Sequence, residues 1–297
     1  MRRIPRKFYL SSAAGERFGL NGERSVWLTE PGGLGLELSP GFANGRHGFF
    51  AAVLTDDVPQ GAAYGTLVFT GAQPYADYQT LLSWALAAGD GLLLVYEPMP
   101  GKEYYRRVML TSLTKGEIEA PGWLRCEATF QTLTPWYSLT QLRFDLTPDG
   151  GDGADMTYQW FYTEELIYPV DAAGAMRAEL TAGGHMNSAM ALEYVGPATN
   201  PSIRLVGVSS GRSYGQLSLE VTLSESDRLE YSSRYLDSYV RLVGADGTET
   251  DLMPSVDLAY EPWLRIPLSE PVTFVMTASS ALPGDATVKV YDYYWSV

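Results

Sequence analysis

Strict alternation of apolar and polar positions predicts a β-strand over residues 123–131. Leu124, Cys126, Ala128 and Phe130 point to one side. The residues that point to the other side are Trp123, Arg125, Glu127, Thr129 and Gln131. Residues 104–114 are expected to form its neighbouring strand, joined to it by the polar stretch 115–122. Apolar β-rich runs at residues 64–69 and 92–96 predict two more strands.

A helix is predicted over residues 74–88, between the strands expected at residues 64–69 and 92–96. Pro74 suits the first helical turn, where a missing N–H costs little. Apolar residues three and four positions apart are expected to share one face. They are Tyr75, Tyr78, Leu81, Leu82, Ala85 and Leu86. Gly89 and Gly91 are expected to end the helix.

The first strands of the chain are predicted at residues 4–10 and 25–30, with Phe8, Leu10, Val26 and Leu28 in the core. Between them, residues 15–22 end in an Asn-Gly pair, which is a strong turn signal. The segment has neither the lysine of a phosphate-binding loop nor the spacing of a dinucleotide motif. We therefore interpret it as a turn.

After residue 158, short apolar runs alternate with turn residues, and no helix is predicted. Strands are expected at residues 176–182, 189–194, 202–206, 216–223, 240–243, 263–268, 272–278 and 287–295. About eight such strands are typical of a β-sandwich. The predicted fold class is therefore mainly β, with two domains. Residues 1–137 form a sandwich or barrel-like domain with one helix, 138–157 a linker or long loop, and 158–297 a C-terminal β-sandwich.

Charge is distributed unevenly along the 297 residues. Residues 1–137 carry 12 Lys and Arg against 13 Asp and Glu, whereas residues 138–297 carry 9 against 22. The net charges of −1 and −13 support a boundary near Tyr137 and argue against nucleic acid as a partner of the acidic half. No apolar run reaches the roughly 18 residues of a membrane helix, and none follows the basic N-terminus, so no membrane span and no cleaved signal are predicted.

Catalytic and metal signatures are missing from the sequence. The two histidines, His47 and His185, have no metal-ligand spacing to a second ligand. The Asp- and Gly-rich stretch 149–155 fails the calcium-loop template, because Trp160 stands where a glutamate is needed, and a linker or loop is favoured. Cys126, the single cysteine, is expected to be buried and inert. We predict no catalytic, cofactor-binding or metal-binding residue.

Two alternative functions involve carbohydrates: hydrolysis of a glycosidic bond and sugar binding. Adjacent acidic pairs at Asp56-Asp57 and Glu164-Glu165 could be invoked for glycoside hydrolysis, but neighbours on a strand face opposite ways. Sugar binding through exposed aromatic side chains is the stronger alternative. The candidates are Trp160, Phe161, Tyr162, Tyr231, Tyr235, Tyr239, Tyr260 and Trp263, although a sandwich core and subunit contacts also need such residues.

The order of several short motifs resembles the distal tail proteins of phages. The motifs are Gly65-Thr-Leu-Val-Phe69, the helical Tyr75 and Tyr78, Leu94-Val-Tyr96-Glu-Pro98, Tyr105-Arg-Arg-Val108, Lys115-Gly-Glu117 and Thr134-Pro-Trp-Tyr137. Further on, Tyr194-Val-Gly-Pro197 and residues 201–207 resemble the opening strands of that family's second domain. The resemblance implies a ring-forming N-terminal domain and a galectin-like or carbohydrate-module-like C-terminal sandwich.

The resemblance also implies a structural function and no enzymatic one. A distal tail, or baseplate hub, protein forms a ring, expected to be a homo-hexamer, that joins the tail tube to tail-tip, receptor-binding or fibre proteins in the virion. It would be synthesised in the host cytoplasm. A carbohydrate-binding adhesion module is the alternative, and a glycoside hydrolase is the third hypothesis. The glycine-rich segment 32–48 matches no motif of the family and could be an assembly element.

Overall fold

The computed structural model describes residues 6–12, 15–35, 42–45, 48–51, 61–119, 122–146, 155–160, 165–169, 176–281 and 285–297. This part of the chain is mainly β with one α-helix, which confirms the predicted fold class. The chain divides into two compact units. Unit 1 contains residues 1–137 together with 294–297, and unit 2 contains residues 138–293.

Unit 1 is built from short strands and the helix. Its elements are β1 (Lys7–Ser11), β2 (Arg17–Gly19), β3 (Val26–Gly32), β4 (Phe42–Gly45), β5 (Gly48–Ala51), β6 (Ala62–Phe69), α1 (Pro74–Ala88), β7 (Leu93–Met99), β8 (Lys102–Leu113), β9 (Ile118–Glu119), β10 (Trp123–Thr132) and the start of β11 (Trp136–Leu146). A 3-10 turn, Gly89–Gly91, follows the helix. The predicted helix and the alternation on β10 are both confirmed.

Two antiparallel sheets share the long strand β8 in unit 1. Its first half pairs with β7, which pairs in turn with β1, and β1 with β2. Its second half pairs with β10, which pairs with β6, and β6 with β3. The strand therefore passes from one sheet to the other at Arg107 and Val108. The hairpin of β4 and β5 lies in the predicted glycine-rich segment 32–48 and the residues that follow.

Helix α1 covers the core of unit 1. Tyr78, Leu81 and Ala85 are buried, and the Tyr78 ring meets Phe69 edge-on at 6.0 Å between centroids. Leu86 was predicted on the same face, but it is 64% exposed. The prediction for Leu86 was wrong because the buried stripe passes through Ala85, and the next residue lies about 100° further round the helix.

Unit 2 continues with strands only, apart from a 3-10 turn at Met253–Ser255 within the described residues. Its strands are β12 (Asp155–Trp160), β13 (Glu165–Pro169), β14 (Met176–Leu180), β15 (Ser188–Val195), β16 (Ala198–Thr199), β17 (Ser202–Gly207), β18 (Ser213–Ser218), β19 (Thr222–Leu223), β20 (Arg228–Arg234), β21 (Asp237–Val243), β22 (Glu249–Asp251), β23 (Arg265–Ile266), β24 (Val272–Thr277), β25 (Ser280–Ala281) and β26 (Asp285–Tyr294).

Two antiparallel sheets supply one hydrophobic core in unit 2. The first has the order β14-β24-β17-β18, and the second includes the order β22-β21-β20-β15-β26. Phe274 and Leu205 from the first sheet and Tyr231 and Leu192 from the second belong to the same buried cluster. Face-to-face sheets with such a shared core are sandwich-like.

Two predictions about strands in unit 2 need correction. Residues 216–223 were predicted as one strand, but β18 ends at Ser218 and β19 pairs with β16 in another sheet. Leu217, Leu219 and Leu223 are nevertheless all buried, because alternation determines the face and not the pairing partner. Strand β20 was missed because polar Ser232 and Ser233 occupy buried positions. The Ser233 hydroxyl donates to the Leu264 carbonyl at 2.7 Å, which satisfies it.

Three segments also differ from the predicted boundaries. Residues 138–157 were predicted as a linker or loop, but β11 and β12 pair there, from Leu142 opposite Trp160 to Leu146 opposite Met156. Residues 15–22 contain the short strand β2 and not only a turn. Residues 294–297 lie in unit 1, where Tyr294 meets the Tyr104 ring edge-on at 5.1 Å.

Candidate interaction surface

Two of the sequence motifs meet where β8 changes sheets. The Arg106 Nε donates to the Thr134 carbonyl at 2.9 Å, and its guanidinium lies 5.6 Å from the centre of the Trp136 ring. Tyr105 stacks on Tyr137 at 5.6 Å between ring centres. Burial lowers the pKa of Arg106 to about 10, which still leaves it charged at neutral pH. These motif residues hold the corner of the two sheets together.

A second pair of motifs meets beside the helix. The Tyr75 hydroxyl donates to Glu117 Oε2 at 3.1 Å. The ammonium group of Lys115 lies 4.9 Å from the centre of the Tyr75 ring. The segment between β8 and β10 is therefore tied to the first turn of α1 by one hydrogen bond and one cation–π contact.

Arg17, Glu103 and Tyr105 form a hydrogen-bonded cluster in unit 1. Arg17 donates to both carboxylate oxygens of Glu103 at 2.7 and 2.8 Å, and the Tyr105 hydroxyl also donates to Glu103. The bond from Arg17 lowers the pKa of Glu103, and burial raises the pKa of Tyr105 to about 12. A carboxylate held in this way is a poor general base, so the cluster joins β2 to β8 and has no sign of catalytic chemistry.

An aromatic groove lies on the outward face of the β3-β6-β10 sheet. Trp27 lies opposite Val68, and Val68 lies opposite Arg125. Trp27 and Trp123 are 48% and 39% exposed, whereas Val68 is only 7% exposed although it points outward. The groove encloses about 590 Å³. Its lining residues are Trp27, Thr29, Glu30, Val68, Thr70, Trp123 and Arg125. We refer to these seven residues as the tryptophan groove.

Local backbone geometry holds Trp27 in place. The Trp27 ring lies directly over Gly22, where a Cβ atom would come within 2.1 Å of the ring. Gly22 also has a φ of +89°, which a residue with a side chain rarely adopts. The alternation of residues 123–131 predicted Trp123 on the outward side of its strand, but neither tryptophan was predicted to form a site. Two tryptophans at polar-face positions were the signal that could have revealed the groove.

The aromatic residues proposed for sugar binding do not form one exposed site in the described part of unit 2. Tyr231 is fully buried, and Trp263 stacks against it at 6.4 Å. Tyr235 packs edge-on against Tyr293, and Arg241 lies over Tyr239. Tyr260 is 51% exposed. The side chains of Trp160, Phe161 and Tyr162 lie outside the described residues.

Several other sequence candidates also fall outside the described residues. These are His47, Asp56, Asp57, Glu164, the Glu165 side chain and residues 149–154. His185 is exposed, and its backbone N–H donates to the Tyr293 carbonyl at 2.7 Å. Among the described residues, no three His, Cys, Asp or Glu side chains are grouped as metal ligands. In the same part of the chain, no helix has the length and apolar character needed to cross a membrane.

Residues 7–133 match the family described as distal tail protein, N-terminal domain. These residues are a distal tail protein domain. The match confirms the resemblance carried by the motifs between residues 65 and 117, and it ends one residue before the Thr134–Tyr137 motif. The match assigns the N-terminal domain of a phage distal tail protein to 127 of the 297 residues.

Solved structures share the fold over almost the whole chain. A chain of the phage P2 baseplate, in its activated conformation with calcium, has a TM-score of 0.67 at 16% identity, covering 99% of this chain and 100% of its own. The corresponding structure with strontium has a TM-score of 0.64 at 16% identity, with coverages of 96% and 98%. The phage SPP1 Dit protein has a TM-score of 0.58 at 12% identity, with coverages of 96% and 98%. No curated protein matches the sequence.

In the distal tail domain, Cys126 is 1% exposed, and burial raises the pKa of its thiol. We expect a bulky thiol reagent to label the native protein far more slowly than the unfolded protein. Cys126→Ser is expected to destabilise unit 1 by about 1–3 kcal/mol, because the hydroxyl would lack a partner in an apolar core. Urea unfolding measures this cost, with Cys126→Ala as the control without a hydroxyl. Rapid native labelling would contradict burial.

In unit 2, Glu270 holds the turn between β17 and β18. Its carboxylate accepts the Ser210 and Tyr214 hydroxyls and the N–H groups of Ser209 and Ser210, and these bonds lower the pKa of Glu270 to about 2. Because this pKa lies below the usual value of about 4.3, the stabilisation is complete above pH 4.3 and is lost as pH falls through about 2.

We therefore expect amide exchange at Ser209 and Ser210, corrected for intrinsic rates, to accelerate between pH 4.3 and 2. Glu270→Gln is the matched control, because its amide does not titrate in this range and should show no such step. Equal pH dependence in the two proteins would contradict the role of the carboxylate.

Proposed function

We propose that this protein forms a homo-hexameric ring that joins the last ring of tail-tube protein to the tail-tip machinery. Unit 1 forms the ring, and unit 2 faces outward and docks receptor-binding or fibre proteins. The observation that carries the proposal is the distal tail domain match over residues 7–133. The protein acts by assembly and not by catalysis, with no cofactor.

The charge distribution supports this arrangement. Residues 1–137 have a net charge of −1, so six copies can pack closely around an axis with little repulsion. Residues 138–297 have a net charge of −13, so identical copies of this acidic domain repel each other at close range. At the periphery of a ring the copies are farther apart than the roughly 8 Å over which physiological salt screens charge, and their repulsion is weak. The same charge steers basic partner surfaces, with an association rate that falls as salt rises.

Mass measurement of the full chain in solution tests the hexamer, alone and with tail-tube protein. The full chain is the right sample because Tyr294 and Val297 pack against the core of unit 1, which a chain ending at Tyr137 would lack. We expect a species of six copies. A strictly monomeric chain at high concentration, with tail-tube protein present, would contradict the proposal.

A further inference from the structure

The exposed face of helix α1 carries no charged residue. Asp77 is the only charged residue among the 15 of the helix, and it is partly buried near Gly71. The exposed positions are Ala76, Gln79, Thr80, Ser83, Leu86 and Ala87. A helix that faces water normally carries charge on its outer side. A small, neutral face with Leu86 64% exposed is instead typical of a surface that another protein covers.

The tryptophan groove has the complementary character. Its hydroxyl and guanidinium groups are already engaged within unit 1: Thr29 donates to the Thr66 carbonyl at 3.1 Å, Thr70 donates to the Ser25 carbonyl at 3.3 Å, and Arg125 Nε lies 3.2 Å from Glu119. The groove therefore offers the apolar surface of Trp27, Val68 and Trp123 together with the exposed carboxylate of Glu30. A neutral helix face can cover the apolar part of this groove without burying a charge of its own.

Both surfaces belong to unit 1, and they are different surfaces. A closed ring uses heterologous contacts, in which one patch of each copy meets another patch of the next. A helix laid in an apolar groove is a common form of such contact. The near-zero charge of residues 1–137 makes a second copy of this chain an electrostatically acceptable occupant.

We propose that the ring closes head to tail, with the exposed face of α1 of one copy seated in the tryptophan groove of the next. This pairing rests on the proposed hexamer and specifies the contact between neighbouring copies in it. Leu86 is the apolar anchor on the helix, and the two tryptophan rings enclose it in the neighbouring groove.

Leu86→Glu tests the helix side of the interface in the full chain. It would bring a second carboxylate into a groove that already contains Glu30 and whose Arg125 is paired with Glu119. We expect the protein concentration needed for assembly to rise at least 100-fold. Leu258→Glu is the matched control: Leu258 is 71% exposed on unit 2, so the same change should leave assembly intact. Because both leucines are exposed, the melting temperature of each variant should stay close to that of the original chain.

Cross-linking tests the pairing itself. The double variant Thr29→Cys and Ala87→Cys places one thiol in the groove and one on the helix of every copy. A short bis-maleimide should join it into a ladder ending at six chains, whereas either single variant should stay uncross-linked. Dimers from a single variant would indicate like-to-like contacts and overturn the pairing.

The outcomes separate the two proposals. A hexamer that Leu86→Glu leaves intact, or that gives no ladder with the double variant, overturns the pairing alone. A full chain that stays monomeric with tail-tube protein present overturns the hexamer and the pairing together.

Discussion

Replacing Trp136 with alanine is expected to destabilise unit 1 by about 3–5 kcal/mol, the usual cost of removing a buried tryptophan. Trp136 is fully buried and has the largest volume of the fully buried side chains among the described residues. Its ring centre lies 6.4 Å from that of Tyr96, and the Arg106 guanidinium lies over its face. Alanine would therefore also leave a buried cation without its aromatic partner. Urea unfolding followed by far-UV circular dichroism measures the loss.

Trp136→Phe is the matched control for this prediction. No described residue accepts a hydrogen bond from the buried indole N–H of Trp136, so phenylalanine removes no hydrogen bond seen in this part of the chain and keeps an aromatic ring beside Arg106. We expect it to cost clearly less than alanine. Equal losses for the two variants would contradict the prediction, because phenylalanine keeps both an aromatic ring and most of the buried volume that alanine removes.

Tyr231→Phe is expected to destabilise unit 2 by about 2–4 kcal/mol. The buried Tyr231 hydroxyl donates to the Pro262 carbonyl at 3.0 Å and accepts the Leu264 N–H at 2.6 Å. Phenylalanine keeps the packing but leaves the Leu264 N–H and the Pro262 carbonyl with only their own bond of 3.2 Å to each other. Removing the partner of a buried polar group costs about 1–3 kcal/mol. Urea unfolding measures the change.

Tyr194→Phe supplies a comparison in the same unit, because the Tyr194 hydroxyl donates to the Pro197 carbonyl at 3.2 Å and is less enclosed. We expect a smaller loss there. If Tyr231→Phe were as mild as Tyr194→Phe, the Tyr231 hydroxyl would not be the group that fixes residues 262–264. Burial raises the pKa of Tyr231, so this hydroxyl stays protonated over the pH range of such experiments.

Local spacing predicted the elements whose structure depends on their own sequence. The helix Pro74–Ala88 and the alternation of β10 follow from periodicity and from flanking proline and glycine. The break between β18 and β19 was not predictable in this way, since Ser218 and Thr222 join different sheets while the apolar alternation continues. Pairing between distant strands is a property of the whole fold.

The tryptophan groove could be predicted only in part from the sequence. Alternation places Trp123 on the outward side of β10, but its meeting with Trp27 depends on the register of β3, β6 and β10. The return of Tyr294 and Val297 to unit 1 has no local signal either, because the apolar pattern of β26 continues through Tyr294. The convergence of Arg106, Thr134 and Trp136 likewise becomes visible only once the two sheets share β8.

Electron microscopy of the full chain assembled with tail-tube protein tests the central claim most directly. The account predicts rings of six-fold symmetry, with unit 1 around the lumen and the acidic unit 2 at the periphery. Single copies without a ring, or rings whose lumen is lined by unit 2, would contradict it.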